Sequence, residues 1–142
     1  LEGISSFYAA LRGTEADLDR ISESIKDLEN SRANSIDDQV NAIVEFYHRI
    51  AEASHNVILL HVIHGMRELL AENIRQNLEI LAGRDDLLGK LNQHRQQLVS
   101  AIVAGKPEQA RDACHQHLAY IEQTLLDLGK EQSRIQRSLR RS

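Results

Sequence analysis

Residues Leu87–Ile121 read LLGKLNQHRQQLVSAIVAGKPEQARDACHQHLAYI, two long helical patterns that meet at Gly105-Lys106-Pro107. Gly105 suits the left-handed position just past a helix, and Pro107 suits the first residue of the next. From Arg95, helical steps of three, four and seven reach Leu88, Leu91, Leu98, Val99 and Ile102, all of them aliphatic. Arg95 therefore lies in the middle of the stripe expected to face the core. The same steps from His117 reach Ala110, Ala113, Cys114, Tyr120 and Ile121, so it points inward as well. A guanidinium on a core-facing stripe needs something negative to meet it.

The helical period continues on both sides of this stretch. Leu1–Arg12 reads as a short helix with Leu1, Ile4, Phe7, Tyr8 and Leu11 on its inner side, closed by Gly13. Thr14 with Asp17 forms a capping box for a second helix, whose stripe is Leu18, Ile21, Ile25 and Leu28. Asn30–Asn34 is a loop. Ser35 with Asp38 opens a third helix with Val40, Ile43, Val44, Tyr47 and Ile50 inside. Residues 53–56 are a break, and Asn56 caps a fourth helix running to Leu81. Its stripe is Leu59, Leu60, Ile63, Met66, Leu70, Ile74, Leu78 and Leu81, and Gly83 ends it. Asp85 or Asp86 opens the fifth helix and Pro107 the sixth. No useful length alternates with period two, so the expected fold is all-α, an antiparallel bundle of about six helices.

Bulk composition agrees. The chain has 142 residues, 42% hydrophobic and 27% charged, the balance of one globular domain spanning 1–142. One proline and 4% aromatics argue against an all-β fold. A net charge of −4 makes this chain a poor grip for a phosphate backbone by itself. The one basic segment, Arg134–Arg141 (RIQRSLRR), reads as a solvated helix end, or alternatively as a nucleic-acid or partner contact. A single cysteine, Cys114, excludes an internal disulfide and suits a reducing cytoplasm. No apolar run approaches the ~20 residues of a membrane span, so no membrane partner is expected. The start LEGISSFYAALRG carries no signal peptide and opens inside a helical pattern without Met, as the back part of a longer chain would.

The informative residues are polar ones within apolar stripes. Besides Arg95 and His117 these are Tyr47, Asn73, Asn77 and Arg67. Each has an ordinary structural explanation: a satisfied core tyrosine, a structural histidine, asparagines bridging backbones, an arginine snorkelling to the surface. Together they describe a polar pocket inside a bundle, suited to a small carboxylate. A planar guanidinium grips a carboxylate through two parallel hydrogen bonds, while a His and a Tyr hydroxyl serve its other oxygens.

Seven histidines raise the question of a metal. Glu45-x-x-His48 and Glu52-x-x-His55 copy the half-site of di-metal bundles, but both lie on one helix where two facing helices are needed. A single divalent ion such as Zn or Ni would take His48, His94 and His117. The primary expectation is no metal and no cofactor. Catalysis has little support. Cys114 and His117, one turn apart with no orienting third group, make a weak nucleophile pair, and the inward stripes supply no carboxylate.

Leu1-Glu2-Gly3-Ile4 with YAALR (8–12), EASHNVILL (52–60) and AIVAGKPEQARDACHQHL (101–118) resembles the C-terminal effector domain of the FadR subfamily of GntR transcription regulators, over nearly the whole chain. ENIRQN (72–77), AGKPEQAR (104–111) and SRIQRSLRR (133–141) look most like the group that represses the pyruvate dehydrogenase complex. The resemblance implies a homodimer, pyruvate as ligand, release of DNA on ligand binding, and a winged helix-turn-helix upstream that contacts operator DNA. Many domains of this subfamily hold a metal through an Asp, a His four residues on, and two further His. Those positions fall here on Ile43, Tyr47, Arg95 and His117, so only the last ligand is kept. The expectation is that Arg95 takes over the cation's role, with Tyr47, His117, Asn73 and Asn77 completing the ligand site. The competing classes are a metal-dependent helical enzyme, a metal-dependent sensor of lactate or a similar acid, and a dimerisation module in which Arg95 pairs with an internal acid.

Overall fold

The computed structural model describes residues 2–141, with side chains for 2–139; Leu1, Ser142 and the side chains of Arg140 and Arg141 lie outside it. Among the described residues seven α-helices make an all-α bundle: α1 (Glu2–Arg12), α2 (Glu15–Asn30), α3 (Ile36–Ala53), α4 (Val57–Gly65), α5 (Arg67–Leu81), α6 (Asp85–Val103) and α7 (Pro107–Arg141). The Asn30–Asn34 segment, expected as loop, contains a 3-10 turn at Ser31–Ala33. Among the described residues there is no strand, and no helix is long and apolar enough to cross a membrane.

The helix ends follow local chemistry. The Thr14 side chain accepts from the Asp17 N–H, and the Asp17 carboxylate accepts from the Thr14 N–H. Ser35 and Asn56 accept from the N–H groups of Asp38 and Leu59. At Gly105, φ is +68°, which glycine adopts at no steric cost. The Gly105 N–H then donates to Ile102 O and the Lys106 N–H to Ala101 O, both at 3.0 Å, the paired bonds of a Schellman stop. At the start of α6 neither Asp85 nor Asp86 caps: Arg84 holds that position, and both acids sit in the first turn.

Two further expectations are corrected. The fourth predicted helix is two, parted at Met66. Gly65 gives the chain local freedom there, and α4 buries only Leu59, so little packing holds the two halves in line. The second correction is the face of α1. Its buried residues are Gly3, Ser5, Ser6 and Ala9, while Ile4 is 49% and Leu11 58% exposed. The physical reason is crowding. This helix packs against α3, α6 and α7, and only small side chains admit three neighbours. A Cβ on Gly3 would stand 2.5 Å from the His115 ring.

The core is built from Ile21, Ile25 and Leu28 of α2, Ile43, Val44, Phe46 and Ile50 of α3, Leu98 and Ile102 of α6, and Ala110 and Cys114 of α7. By contrast Val57 (67%), Ile58 (76%), Val62, Met66 and Leu69, on α4, α5 and the junction between them, are exposed.

Candidate functional site

Between α1, α3, α5, α6 and α7 lies a cavity of about 120 Å³. At ~30 Å³ per water this is room for about four waters. Its polar walls are Glu2, Tyr47, Asn73, Asn77 and Arg95, and aliphatic residues such as Ile74, Leu91 and Leu118 close the rest. Each polar group is fixed by its own helix. Arg95 is anchored by Leu91, Leu98, Val99 and Ile102 buried beside it on α6. Tyr47 is set by Ile43, Val44 and Ile50 on α3. Asn73 and Asn77, one turn apart on α5, touch each other at 3.4 Å, with Asn73 exposed at the mouth.

Arg95 is 8% exposed, and among the described residues it has no carboxylate partner. Its Nε–H has no hydrogen-bond acceptor. Burial pulls the guanidinium below its usual pKa, and the facing Tyr47 hydroxyl partly opposes this. Tyr47 is itself raised, first by burial and next by the charge of Glu2. On the other side of Arg95 a cavity of about 80 Å³ is lined by Ser31, Arg32, Gln39 and Asn92, and Asn92 Oδ1 is also unpartnered.

His117 is 1% exposed, and among the described residues neither ring nitrogen finds a partner. The wall contributed by α7 is Leu118 and Ile121, so His117 stands behind the cavity, near enough to feel the Arg95 charge. Burial, then Arg95, then His94 push its pKa down to about 3, so the ring is neutral. A neutral imidazole carries one donor and one acceptor, and leaving a buried one unpaired costs ~1–3 kcal/mol. The His94 ring lies edge-on to it at 5.7 Å, and His94 Nδ1 is unpartnered too.

The three histidines considered for a metal are not brought together. His48 lies on the polar side of α3, where Glu52 one turn on takes its Nε2 at 2.9 Å. Only His94 and His117 are neighbours. Among the described residues no three His, Cys, Asp or Glu side chains converge as metal ligands would. The two Glu-x-x-His pairs are likewise taken up by other side chains. Glu45 meets Arg49 at 2.9 Å and Arg67 at 3.7 Å, and His55 meets Asp17 at 2.6 Å. Cys114 is no nucleophile: burial lifts its thiol to about 11.

Glu2 is the site residue that periodicity missed. With the large apolar residues of α1 taken as its inner face, Glu2 fell outside. The signal was present in the small-residue face Gly3-Ser5-Ser6-Ala9, whose inward turn carries Glu2 to the cavity. The expectation that no carboxylate faces the interior is therefore corrected.

Comparison with known proteins adds the family. Residues 1–120 match the FCD domain. The chain is 28% identical over 140 residues to the putative L-lactate dehydrogenase operon regulatory protein of Escherichia coli K12, covering 99% of this chain and 53% of that protein. It is 31% identical over 124 residues to the HTH-type transcriptional regulator LutR of Bacillus subtilis 168, covering 87% of this chain and 56% of that protein. The Glc operon transcriptional activator of E. coli K12 is 24% identical over 142 residues, covering 97% of this chain and 56% of that protein. The chain thus spans about half the length of these relatives, which are transcriptional regulators and not enzymes. A polar cavity in an all-α bundle, with a match over residues 1–120, places the chain in the FCD domain family found in GntR-type transcriptional regulators.

Proposed function

We propose that this chain is the FadR-type effector-binding module of a cytoplasmic regulator and that its effector is a three-carbon monocarboxylate, pyruvate. The acid's carboxylate pairs with Arg95, Tyr47 donates to it, and Asn73 and Asn77 close the mouth. His117 braces the α7 wall from behind. No metal or other cofactor takes part, because the guanidinium supplies the positive charge. The observation that carries this reading is Arg95, buried in a cavity wall it shares with Glu2 yet in salt-bridge contact with no carboxylate among the described residues. The small volume supports a small ligand, since drug-sized molecules need ~300 Å³ or more. The likeness of residues 72–77, 104–111 and 133–141 to the pyruvate dehydrogenase complex repressor supports pyruvate. The name of the E. coli relative favours lactate as the second reading.

Titration calorimetry on purified protein tests it. Saturable pyruvate binding in metal-free buffer is the expected outcome. A response to lactate alone moves the assignment to the second reading. Binding that appears only after zinc or nickel is added removes the guanidinium mechanism.

In the full protein, a winged helix-turn-helix domain preceding this chain contacts the operator, and the acid biases the dimer toward a form that releases DNA. A ligand shifts such an equilibrium only through its differential affinity for the two forms. The homodimer buries the exposed apolar side chains Val57, Ile58, Val62 and Leu69. Sedimentation of the protein is expected to give a dimer that Val62→Asp with Leu69→Asp converts to monomer. A monomeric wild type would refute this pairing.

A further inference from the structure

The geometry points to Glu2 as the residue that separates 2-hydroxy acids from 2-oxo acids in the cavity beside Arg95. This rests on the reading of that cavity as a short-acid site. Glu2 shares the cavity wall with Tyr47 and Arg95, and it also borders an adjoining apolar cleft with Ser5, Tyr47 and Ile50. Its charge is felt by Tyr47 and by Cys114, which puts it between α3 and α7. The described side chains offer it neither a salt bridge nor a side-chain hydrogen bond.

A short acid gripped at its carboxylate by Arg95 presents its second carbon to the remaining walls. There a 2-hydroxyl can donate and accept, whereas a 2-oxo oxygen can only accept. The other polar walls, Tyr47, Asn73 and Asn77, carry both donors and acceptors and serve either ligand. Glu2 does not. Ionised, it only accepts, so it welcomes a hydroxyl and sets lone pair against lone pair with a ketone. Protonated, it donates to either. A site built around a hydrogen bond rejects the analogue that cannot make it more strongly than a shape difference does.

Burial raises the Glu2 carboxyl above its ordinary value. The N-terminal ammonium partly offsets that rise, and the Glu2→Gln protein controls for its own titration. Tyr47 and Cys114 are raised by burial, His117 is held down to about 3, and Arg95 keeps its charge. His115, packed on Gly3, is not among the cavity-lining residues. Pyruvate and lactate are both monoanions of similar size. The ratio of their dissociation constants therefore cancels any group that acts on the carboxylate alone.

The test measures that ratio by calorimetry at about pH 5 and about pH 8, in wild type and in Glu2→Gln. In wild type the ratio is expected to move toward lactate by about tenfold or more as pH rises. In Glu2→Gln, whose amide both donates and accepts at every pH, it should stay flat. A wild-type ratio that does not move, or a shift that survives in Glu2→Gln, overturns the role of Glu2 while leaving acid binding intact. Should neither acid bind wild type at either pH, the short-acid reading falls and this inference with it. The wild-type arm alone decides if the variant misfolds.

Discussion

Arg95→Met is expected to weaken pyruvate binding on the order of a hundredfold or more while leaving the unliganded protein as stable as wild type, or more so. The binding loss follows from removing the one buried cation that meets the acid, since truncating one side of a desolvated charge pair costs ~2–5 kcal/mol. The second half of the prediction separates a ligand residue from a structural one. A buried guanidinium that makes no salt bridge among the described residues is a burden on the empty fold, and a methionine of similar reach fills its space without the desolvation cost. Arg95→Lys should recover only part of the affinity, because an ammonium cannot make the paired parallel bonds. Calorimetry and a denaturant titration on each variant give both readings. A variant that binds pyruvate normally, or that loses several kcal/mol of stability with no change in affinity, identifies Arg95 as a core residue and removes the sensor mechanism.

The second large effect is in acid. His117 has its pKa depressed from 6.5 to about 3 in the folded state, whereas in the unfolded chain it titrates near the ordinary value. Between those pH values the unfolded chain binds a proton that the native chain does not, so stability falls as pH falls. The contribution is fully present above about pH 6.5 and is lost progressively down to about pH 3, at up to ~1.4 kcal/mol per pH unit. Chemical denaturation of wild type across that interval should show the decline, and His117→Gln, which has no proton to gain, should show a shallower one. Equal slopes in the two proteins would mean that the ring is reached by solvent or already paired.

The bundle was legible because its signals are local and repeated. Thr14 with Asp17, Ser35, Asn56, Gly83, Gly105 and Pro107 each perform at the helix ends the role their chemistry suggests. The inward placement of Tyr47, Arg95 and His117 was legible for the same reason: each is surrounded on its own helix by aliphatic neighbours. What periodicity did not show depends on contacts between helices. The rule that large apolar residues turn inward fails on α1, because three neighbours leave space only for Gly3, Ser5, Ser6 and Ala9. Glu2 was lost with that rule. Rotation by a fraction of a turn also decides between wall and backing. His117 and Leu118 are adjacent in sequence, yet Leu118 lines the cavity and His117 does not. The parting at Met66 belongs to the same class, since it reflects how little of α4 is packed rather than any strong breaker in the chain.

The length of α7 has one more consequence. Leu118 and Ile121 touch the cavity, and the same uninterrupted helix runs on to Arg141. At ~1.5 Å per residue the whole rod is about 50 Å long, with no proline after Pro107 to soften it. Tilting such a lever by a single degree sweeps its tip through roughly 0.9 Å. A displacement too slight to notice where the acid sits is thus magnified by plain geometry at the far end of the molecule.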